Sequence, residues 1–249
     1  MSICLLDVSG LMYRAFFGTP SMQIDGKEVG ALYGFRAELN NLLLRFKGTT
    51  FIATLDCAKK TFRNDIYPEY KANRPRMPEA LLSQCLLIQD ACEQSGCKIA
   101  KKVGYEADDI IASYVKHFQQ STDVIIVSGD KDLLQLLQFE HVQVYNPSKH
   151  RFIKNEDVIA RYDVTPTQLL DLFSLMGDSA DNVPGIPGIG IKTASKLINQ
   201  YNSLDGLIAN INRLPYTKMM QRVRDNIDKA VLSKKLIDLC YTVELDFDN

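Results

Sequence analysis

Acidic residues recur at the ends of apolar runs along this chain, and carboxylates are the side chains that hold hard divalent cations. Asp7 closes Ile3-Cys4-Leu5-Leu6, and Asp56 follows Phe51-Ile52-Ala53-Thr54-Leu55. Glu106, Asp108 and Asp109 stand together in Gly-Tyr-Glu-Ala-Asp-Asp. Asp130 and Asp132 follow Val124-Ile125-Ile126-Val127, and Asp178 and Asp181 lie in Gly-Asp-Ser-Ala-Asp-Asn. An apolar run marks a buried strand, and open α/β sheets place their sites beyond the carboxyl ends of strands. Neighbouring strands would bring these acids into one small volume. So many carboxylates repel one another unless divalent cations neutralise them. Mg²⁺ or Mn²⁺ suits an all-oxygen set. Two such ions about 3.5–4 Å apart can clamp the attacking and leaving oxygens of a phosphodiester. The pattern implies a metal-dependent enzyme.

Each acid also has a plainer explanation. An Asp after a strand can make a turn or cap the next helix, and Asp132 and Asp109 are open to such structural roles. On a helix, Glu106 and Asp109 are three apart and share a face, whereas Asp108 projects elsewhere. It is the joint pattern that points to metal.

The elements that must position these residues alternate. Strands are expected over residues 3–8, 51–55, 97–100, 124–127 and 142–145. Helices are expected over 31–46, 78–94, 106–119 and 132–137. Such alternation predicts an α/β fold with a mainly parallel central sheet flanked by helices. Beyond residue 155 the strand signal fades, and helices are expected over 165–176, 192–201, 203–210 and 218–240. The chain is therefore divided into an α/β core, residues 1–160, and a C-terminal helical lobe, residues 161–249. Residues 62–78 mix aromatics, cations and prolines without a core-forming period, which predicts an exposed excursion.

At 249 residues with 46% hydrophobic content, the chain can bury a sizeable core. No apolar stretch reaches the ~20 residues of a membrane helix, and no basic region precedes the first apolar run as a secretory signal would require. The six cysteines form no Cys-x-x-Cys pair. They read as thiols of a reducing cytoplasm, with no zinc site indicated. The net charge of −1 argues against a nucleic-acid partner only until its distribution is considered. With the acidic cluster set aside, the remainder is net basic. Its cations group as Lys59, Lys60 and Arg63; Lys71, Arg74 and Arg76; Lys192 and Lys196; and Lys218, Arg222 and Arg224. His117, His141 and His150 have no metal-ligand spacing, and no Ser/His/Asp or Cys/His arrangement is legible, which disfavours covalent catalysis. Tyr13, Phe16, Phe17 and Tyr70 are core or surface aromatics by default; an exposed one beside a metal site could stack on a base.

Residues 185–194, Gly-Ile-Pro-Gly-Ile-Gly-Ile-Lys-Thr-Ala, turn tightly into a helix start, where free N–H groups favour a phosphate. Lys192 lies two residues after Gly190, so this is not a Walker loop, and no strand precedes it. Helical flanks fit a helix-hairpin-helix that contacts a nucleic-acid backbone through Gly185, Gly188, Gly190 and Lys192.

With these residues in view, the chain resembles the bacterial 5′-nucleases of the flap endonuclease superfamily, above all the 5′→3′ exonuclease domain of DNA polymerase I. The resemblance runs in order over the whole chain. Asp7 with Tyr13-Arg14-Ala15-Phe16 resembles the family's opening, and Tyr70-Lys71-Ala72-Asn73-Arg74 its arch, placed at about residues 60–80. The segments around Glu106, Asp130 and Asp178 resemble its three acidic blocks. The resemblance implies a PIN-like core carrying two Mg²⁺ or Mn²⁺ ions. Asp7, Asp56, Glu106 and Asp108 would serve the first ion, and Asp130, Asp132 and Asp181 the second. Asp109 and Asp178 would be further or outer acids. Lys71 and Arg74 would reach the scissile phosphate from a helical arch, Tyr13 would stack on the terminal base, and Arg14 would join the catalytic set. A K⁺ ion on the carbonyls of Val183, Ile186 and Ile189 is a further expectation. The implied activity is a structure-specific 5′→3′ exonuclease and flap endonuclease acting on DNA with 5′ flaps or branched junctions. Polymerase-fused relatives continue beyond this point, whereas this chain ends at Asn249, so a stand-alone form is expected; a cytoplasmic monomer with a separate DNA polymerase as a partner completes the expectation. The competing readings are a junction-binding module with relic acids, a PIN-like ribonuclease and, more distantly, a phosphatase, which would want an Asp-x-Asp on the first strand.

Overall fold

The computed structural model describes residues 2–57 and 59–245. Strand β1 (Ser2–Asp7) is apolar on both faces, and Asp7 turns the chain into α1 (Val8–Gly18). A small antiparallel ribbon, β2 (Gln23–Ile24) and β3 (Lys27–Glu28), precedes α2 (Gly30–Arg45) and β4 (Thr50–Thr54). Then come α3 (Phe62–Ile66), α4 (Glu79–Leu82), α5 (Cys85–Gln94) and β5 (Lys98–Ala100). Helix α6 (Ala107–Phe118) leads to β6 (Asp123–Val127), a 3₁₀ helix over Asp132–Gln138, and the pair β7 (Val142–Asn146) and β8 (Arg151–Ile153). Beyond these lie α7 (Asn155–Tyr162), α8 (Leu169–Met176), α9 (Ile191–Tyr201), α10 (Leu204–Ala209), α11 (Lys218–Asp225) and α12 (Ile227–Ile237).

The main sheet runs β5-β4-β1-β6-β7-β8. All of its pairs are parallel except β7 with β8. Chain order reverses at β1, which has β4 on one side and β6 on the other. In register, Asp7 stands beside Thr54 of β4, and Leu6 beside Val127 of β6. The three carboxyl ends that carry acids therefore lie side by side at a switch point, where open sheets form their sites. Alternation along β1 feeds two cores. Ile3 and Leu5 pack with Ile110, Ile111 and Leu133, while Cys4 and Leu6 pack with Leu11, Phe35 and Ile88.

Several expected boundaries change. The helix expected over 78–94 breaks into α4 and α5 around Gln84, which is buried. Its side chain donates to the Ala80 carbonyl at 2.7 Å and accepts from the Leu32 N–H at 2.9 Å. The helix expected over 218–240 breaks at Asn226, whose backbone leaves the helical region at φ −128°, ψ 17°. Helices α1 and α7 and strand β8 were not anticipated. The segment at 62–78 is only partly an exposed excursion, because Arg63 and Tyr70 are buried. Nor is it a continuous helical arch. After α3 it runs in turns through Asn73, and Lys71 sits in the left-handed region at φ 57°. Among the described residues, no helix is long and apolar enough to cross a membrane.

Candidate active site

Asp7 carries both of its readings at once. Its Oδ1 accepts the Gly10 N–H at 2.9 Å, capping α1, and its Oδ2 accepts the Ser128 hydroxyl at 2.7 Å. Asp56, just past β4, accepts the Ser9 hydroxyl at 2.6 Å and the Ala107 N–H at 2.8 Å. It therefore ties the end of β4 to the start of α6. Asp130, just past β6, accepts the Asp132 N–H at 2.8 Å in a tight local turn. Asp132 starts the 3₁₀ helix, and its buried Oδ1 has no hydrogen-bond partner.

Burial and mutual repulsion make this cluster costly in its charged form. Burial pushes the Asp7 carboxyl up to about 6 against the Gly10 and Ser128 hydrogen bonds, and the charges of Asp130 and Asp56 add to the rise. Burial and then Asp130 raise Asp132 to about 7. Asp108 is held well above the usual carboxylate range by burial and by Asp130, Asp7, Asp56 and Glu106. A hard cation among these oxygens would reverse each of these effects.

Protein cations already offset part of the charge. Lys71 Nζ lies 2.7 Å from Glu106 Oε1 and 3.8 Å from Asp181 Oδ2. Arg74 Nε donates to Asp181 Oδ1 at 2.7 Å, and Lys131 pairs with Asp178. Burial would push Asp178 up, yet Lys131 and the N–H groups of Ala180 and Asp181 hold it below its ordinary range. The expectation that only divalent ions could neutralise the cluster is therefore corrected: three side-chain cations share the work. Among the described residues, no three Asp, Glu, His or Cys side chains stand in an arrangement that could hold a metal ion without moving. The donor set still fits a hard divalent cation, because Asp132 presents an orphaned buried carboxylate oxygen inside an all-oxygen cluster.

Two cavities share this cluster. The larger, about 490 Å³, is lined by Asp7, Asp56, Glu106, Asp108 and Asp130, with Tyr13, Lys71 and Arg74 on its walls. The smaller, about 30 Å³, is lined by Glu106, Asp108, Asp130, Asp132, Asp178 and Asp181, again with Lys71 and Arg74. Backbone contacts set the two cations. The Lys71 N–H donates to the Asp181 carbonyl at 2.9 Å, and Asn73 and Asn182 bridge the two segments at 2.6 and 2.7 Å. Arg14 is paired with Glu38 at 3.1 Å and lines a separate cavity with Asp7 and Asp130.

Asp109 is not in the cluster. It is fully buried, and Arg63 grips it through two hydrogen bonds of 2.7 and 2.8 Å. Its oxygens also accept the Glu106 N–H at 3.0 Å and the Cys240 N–H at 2.9 Å. Glu106 is the N-cap of α6, with extended backbone at φ −91°, ψ 162°, and it shares a reciprocal capping box with Asp109, so the two are neighbours as their spacing predicts. The carboxylate of Asp109 nevertheless faces Arg63 rather than the cluster. Asp108, projecting from the other side of the turn, lies in the cluster with Asp7, Asp56 and Asp130. Arg63 in turn leaves the exposed basic groups: it also donates to the Leu236 and Asp238 carbonyls. Tyr70 donates to Glu106 at 3.2 Å and has no free face for stacking, whereas Tyr13 is half-buried in the large cavity. Ser9, Ser128 and Lys131 hold cluster acids and were not singled out; Ser128 and Lys131 flank the quoted Asp130, which was their only signal.

The glycine-rich loop joins α8 to α9. Gly185 and Gly188 have φ of 55° and 75°, a region costly for other residues. A Cβ on Gly185 would lie 2.3 Å from Gly177 N. Gly190 caps α9, and Lys192 is exposed in its first turn. Val183, Ile186 and Ile189 anchor the loop in the core, and the Val183 and Ile186 carbonyls each already accept one backbone N–H.

Comparison with known proteins agrees along the whole length. Residues 2–163 match the family described as 5'-3' exonuclease, N-terminal resolvase-like domain, and residues 164–249 match 5'-3' exonuclease, C-terminal SAM fold. A DNA polymerase I of Rhizobium leguminosarum is 41% identical over 98% of this chain, which spans 25% of that relative. The chain thus covers about a quarter of the polymerase relatives it matches. A 5'-3' exonuclease of Buchnera aphidicola is 31% identical over 98% of this chain and 88% of that protein. Among solved structures, the phage T5 D15 protein co-crystallised with metal ions superposes with a TM-score of 0.82 at 24% identity, covering 96% of this chain and 90% of that one. The catalytic core of Rad2 in complex with DNA substrate superposes with a TM-score of 0.60 at 14% identity, covering 99% and 80%.

Proposed function

The chain belongs to the 5′-3′ exonuclease family, and on that premise we propose that it is a structure-specific 5′→3′ exonuclease and flap endonuclease that hydrolyses DNA phosphodiesters. The observation that carries the reading is the cavity of about 490 Å³ in which Asp7, Asp56, Glu106, Asp108 and Asp130 face Tyr13, Lys71 and Arg74. Asp7, Asp56, Glu106 and Asp108 would hold one divalent ion, and Asp130, Asp132 and Asp181 a second, with Asp178 outside them. Bound Mg²⁺ or Mn²⁺ supplies charge neutralisation and an activated water for in-line displacement at phosphorus. A K⁺ ion at the carbonyls of Val183, Ile186 and Ile189 would belong to duplex binding.

The protein groups have separable tasks. Lys71 and Arg74 border the cavity, where a substrate phosphate competes with Glu106 and Asp181 for them. The half-buried Tyr13 offers a ring on which a terminal base can stack. Gly188, Gly190 and Lys192 present backbone N–H groups and one cation to duplex phosphates, so selection follows junction shape more than base sequence, whereas the buried Gly185 N–H already donates to the Ser233 hydroxyl at 2.9 Å and leaves that set. Arg14 would steer the strand at the rim.

Incubation of the protein with a 5′-labelled DNA flap in Mg²⁺ tests the reading. Asp130→Ala should lower cleavage at least about 10³-fold, a barrier increase of about 4 kcal/mol. No cleavage by wild type, or full cleavage by Asp130→Ala, overturns it. A matched RNA flap cut faster than DNA would replace it with a ribonuclease.

A further inference from the structure

A further cavity opens on the far side of Asp130, between the loop after β6, the β7–β8 turn and α7. It measures about 50 Å³ and is lined by Ser128, Lys131, Asn146, Lys149, Arg161 and Tyr162. That is more room than one water needs. None of these residues except Lys131 and Ser128 contributes to the acidic cluster.

Ser128 and Lys131 donate to Asp7 and Asp178, but other donors here have no acceptor. Tyr162 is only 2% exposed, and its buried hydroxyl has no hydrogen-bond partner. Native proteins rarely leave such a group unpaired, so each case asks for a missing partner. Burial raises the hydroxyl above its ordinary range, with the charges of Arg161 and Lys131 acting on it in the opposite sense. It therefore stays protonated, a donor. Asn146 accepts the Ser148 and Lys149 N–H groups through Oδ1 at 3.0 and 2.9 Å, which leaves Nδ2 as a spare donor. Among the described residues, neither Lys149 nor Arg161 has an ion-pair partner, and the Arg161 guanidinium lies 4.9 Å from the Tyr162 ring centre.

The two carboxylates on the wall do not cancel this excess. Arg151 binds Asp157 through two bonds of 2.8 Å, and the Lys154 N–H adds a third. Asp130 spends one oxygen on the Asp132 N–H and belongs to the cluster next door. Neutral donors within and unpaired cations at the mouth suit a tetrahedral oxyanion, which accepts from every direction.

We propose that this cavity is a phosphate subsite, in which the Tyr162 hydroxyl, Asn146 Nδ2, Lys149 and Arg161 bind one phosphoryl group. Two sources share that chemistry: a backbone phosphate of the bound strand, one step beyond the acidic cluster, or free inorganic phosphate. The strand source rests on the nuclease reading, while the free-anion source does not.

Two titrations of the whole chain in EDTA separate them. Inorganic phosphate is titrated calorimetrically against chloride at equal ionic strength, and a DNA flap is titrated by fluorescence anisotropy across a salt series. The proteins are wild type, Tyr162→Phe and the double variant Lys149→Ala/Arg161→Ala. The proposal expects both variants to weaken binding in at least one arm, the double variant by about tenfold. A reduction of the salt slope by about 1 in the DNA arm identifies a strand phosphate. Loss confined to the inorganic phosphate arm identifies the free anion. Tyr162→Phe should also melt at or above the wild-type temperature without phosphate, because it removes an unpaired buried hydroxyl. Any other pattern, including an effect of the double variant alone, reduces the cavity to unspecific surface charge and overturns the proposal. Failure of wild type to cut a flap would remove the nuclease reading but leave the inorganic phosphate titration intact.

Discussion

Asp109 sits where Arg63, the Glu106 N–H and the Cys240 N–H bring donors to both of its oxygens. Asp108, one residue earlier on the same turn, is surrounded by the charges of Asp130, Asp7, Asp56 and Glu106. The first environment is closed: a buried acid with a bidentate partner and backbone donors from two segments fixes α6 against α3 and the chain after α12. The second is open: its carboxylates are under-compensated, and its cations, Lys71 and Arg74, remain partly exposed. An acid whose lone pairs are filled serves the fold, and one left short of donors is available to a ligand.

The largest expected effect breaks the closed region. Arg63→Ala leaves Asp109 buried and uncompensated, and it should lower stability by about 3–5 kcal/mol in chemical denaturation. A change below 1 kcal/mol would mean that the pair is not structural. Next comes Lys71→Ala in the open region. Flap cleavage should fall about 10²-fold, while stability changes by no more than about 1 kcal/mol, because the pair is partly solvated. A stability loss like that of Arg63→Ala would erase the distinction between the two regions.

The smallest effect is a pH dependence specific to the open region. Asp7 and Asp132 are raised to about 6 and 7 from an ordinary value of 3.8. The folded protein therefore binds more protons than the unfolded chain between about pH 4 and 7, and stability falls as pH rises through that window. Metal-free protein should melt several degrees lower at pH 7.5 than at pH 5, and Mg²⁺ should restore more at pH 7.5. Asp157, lowered to about 2, acts in the opposite sense, but only below pH 4. A melting temperature that rises from pH 5 to 7.5 without metal would contradict the account.

Much of this was legible in the sequence where local pattern decides. The runs before Asp7, Asp56 and Asp130 predicted β1, β4 and β6, and the acids were expected to converge if those strands were neighbours, which the strand order bears out. Strand β8 is three residues long and reaches the sheet only by pairing with β7, so it carries no period of its own. Helix α1 follows β1 without a break, and Asp7 serves as strand end and helix cap at once. Asp109 was open to a structural role in the sequence, but spacing alone could not show that Arg63 and the Cys240 N–H fill its oxygens while Asp108 faces the cluster. Arg63 read as a surface cation because its partner lies 46 residues away. Long-range pairing of this kind leaves no mark on spacing, and it decides which acids are free.

The direct test of the central contrast is the pair Asp108→Asn and Asp109→Asn, each assayed for flap cleavage in Mg²⁺ and for melting without metal. Asp108→Asn should lose cleavage by at least about 10²-fold and melt at or above wild type, since it removes a repelled charge. Asp109→Asn should melt well below wild type, because Arg63 loses its charged partner, while cleavage per folded molecule falls far less. If the two variants behave alike in both assays, or if Asp109→Asn is the one that loses cleavage while remaining stable, the division into a closed and an open acidic region is wrong.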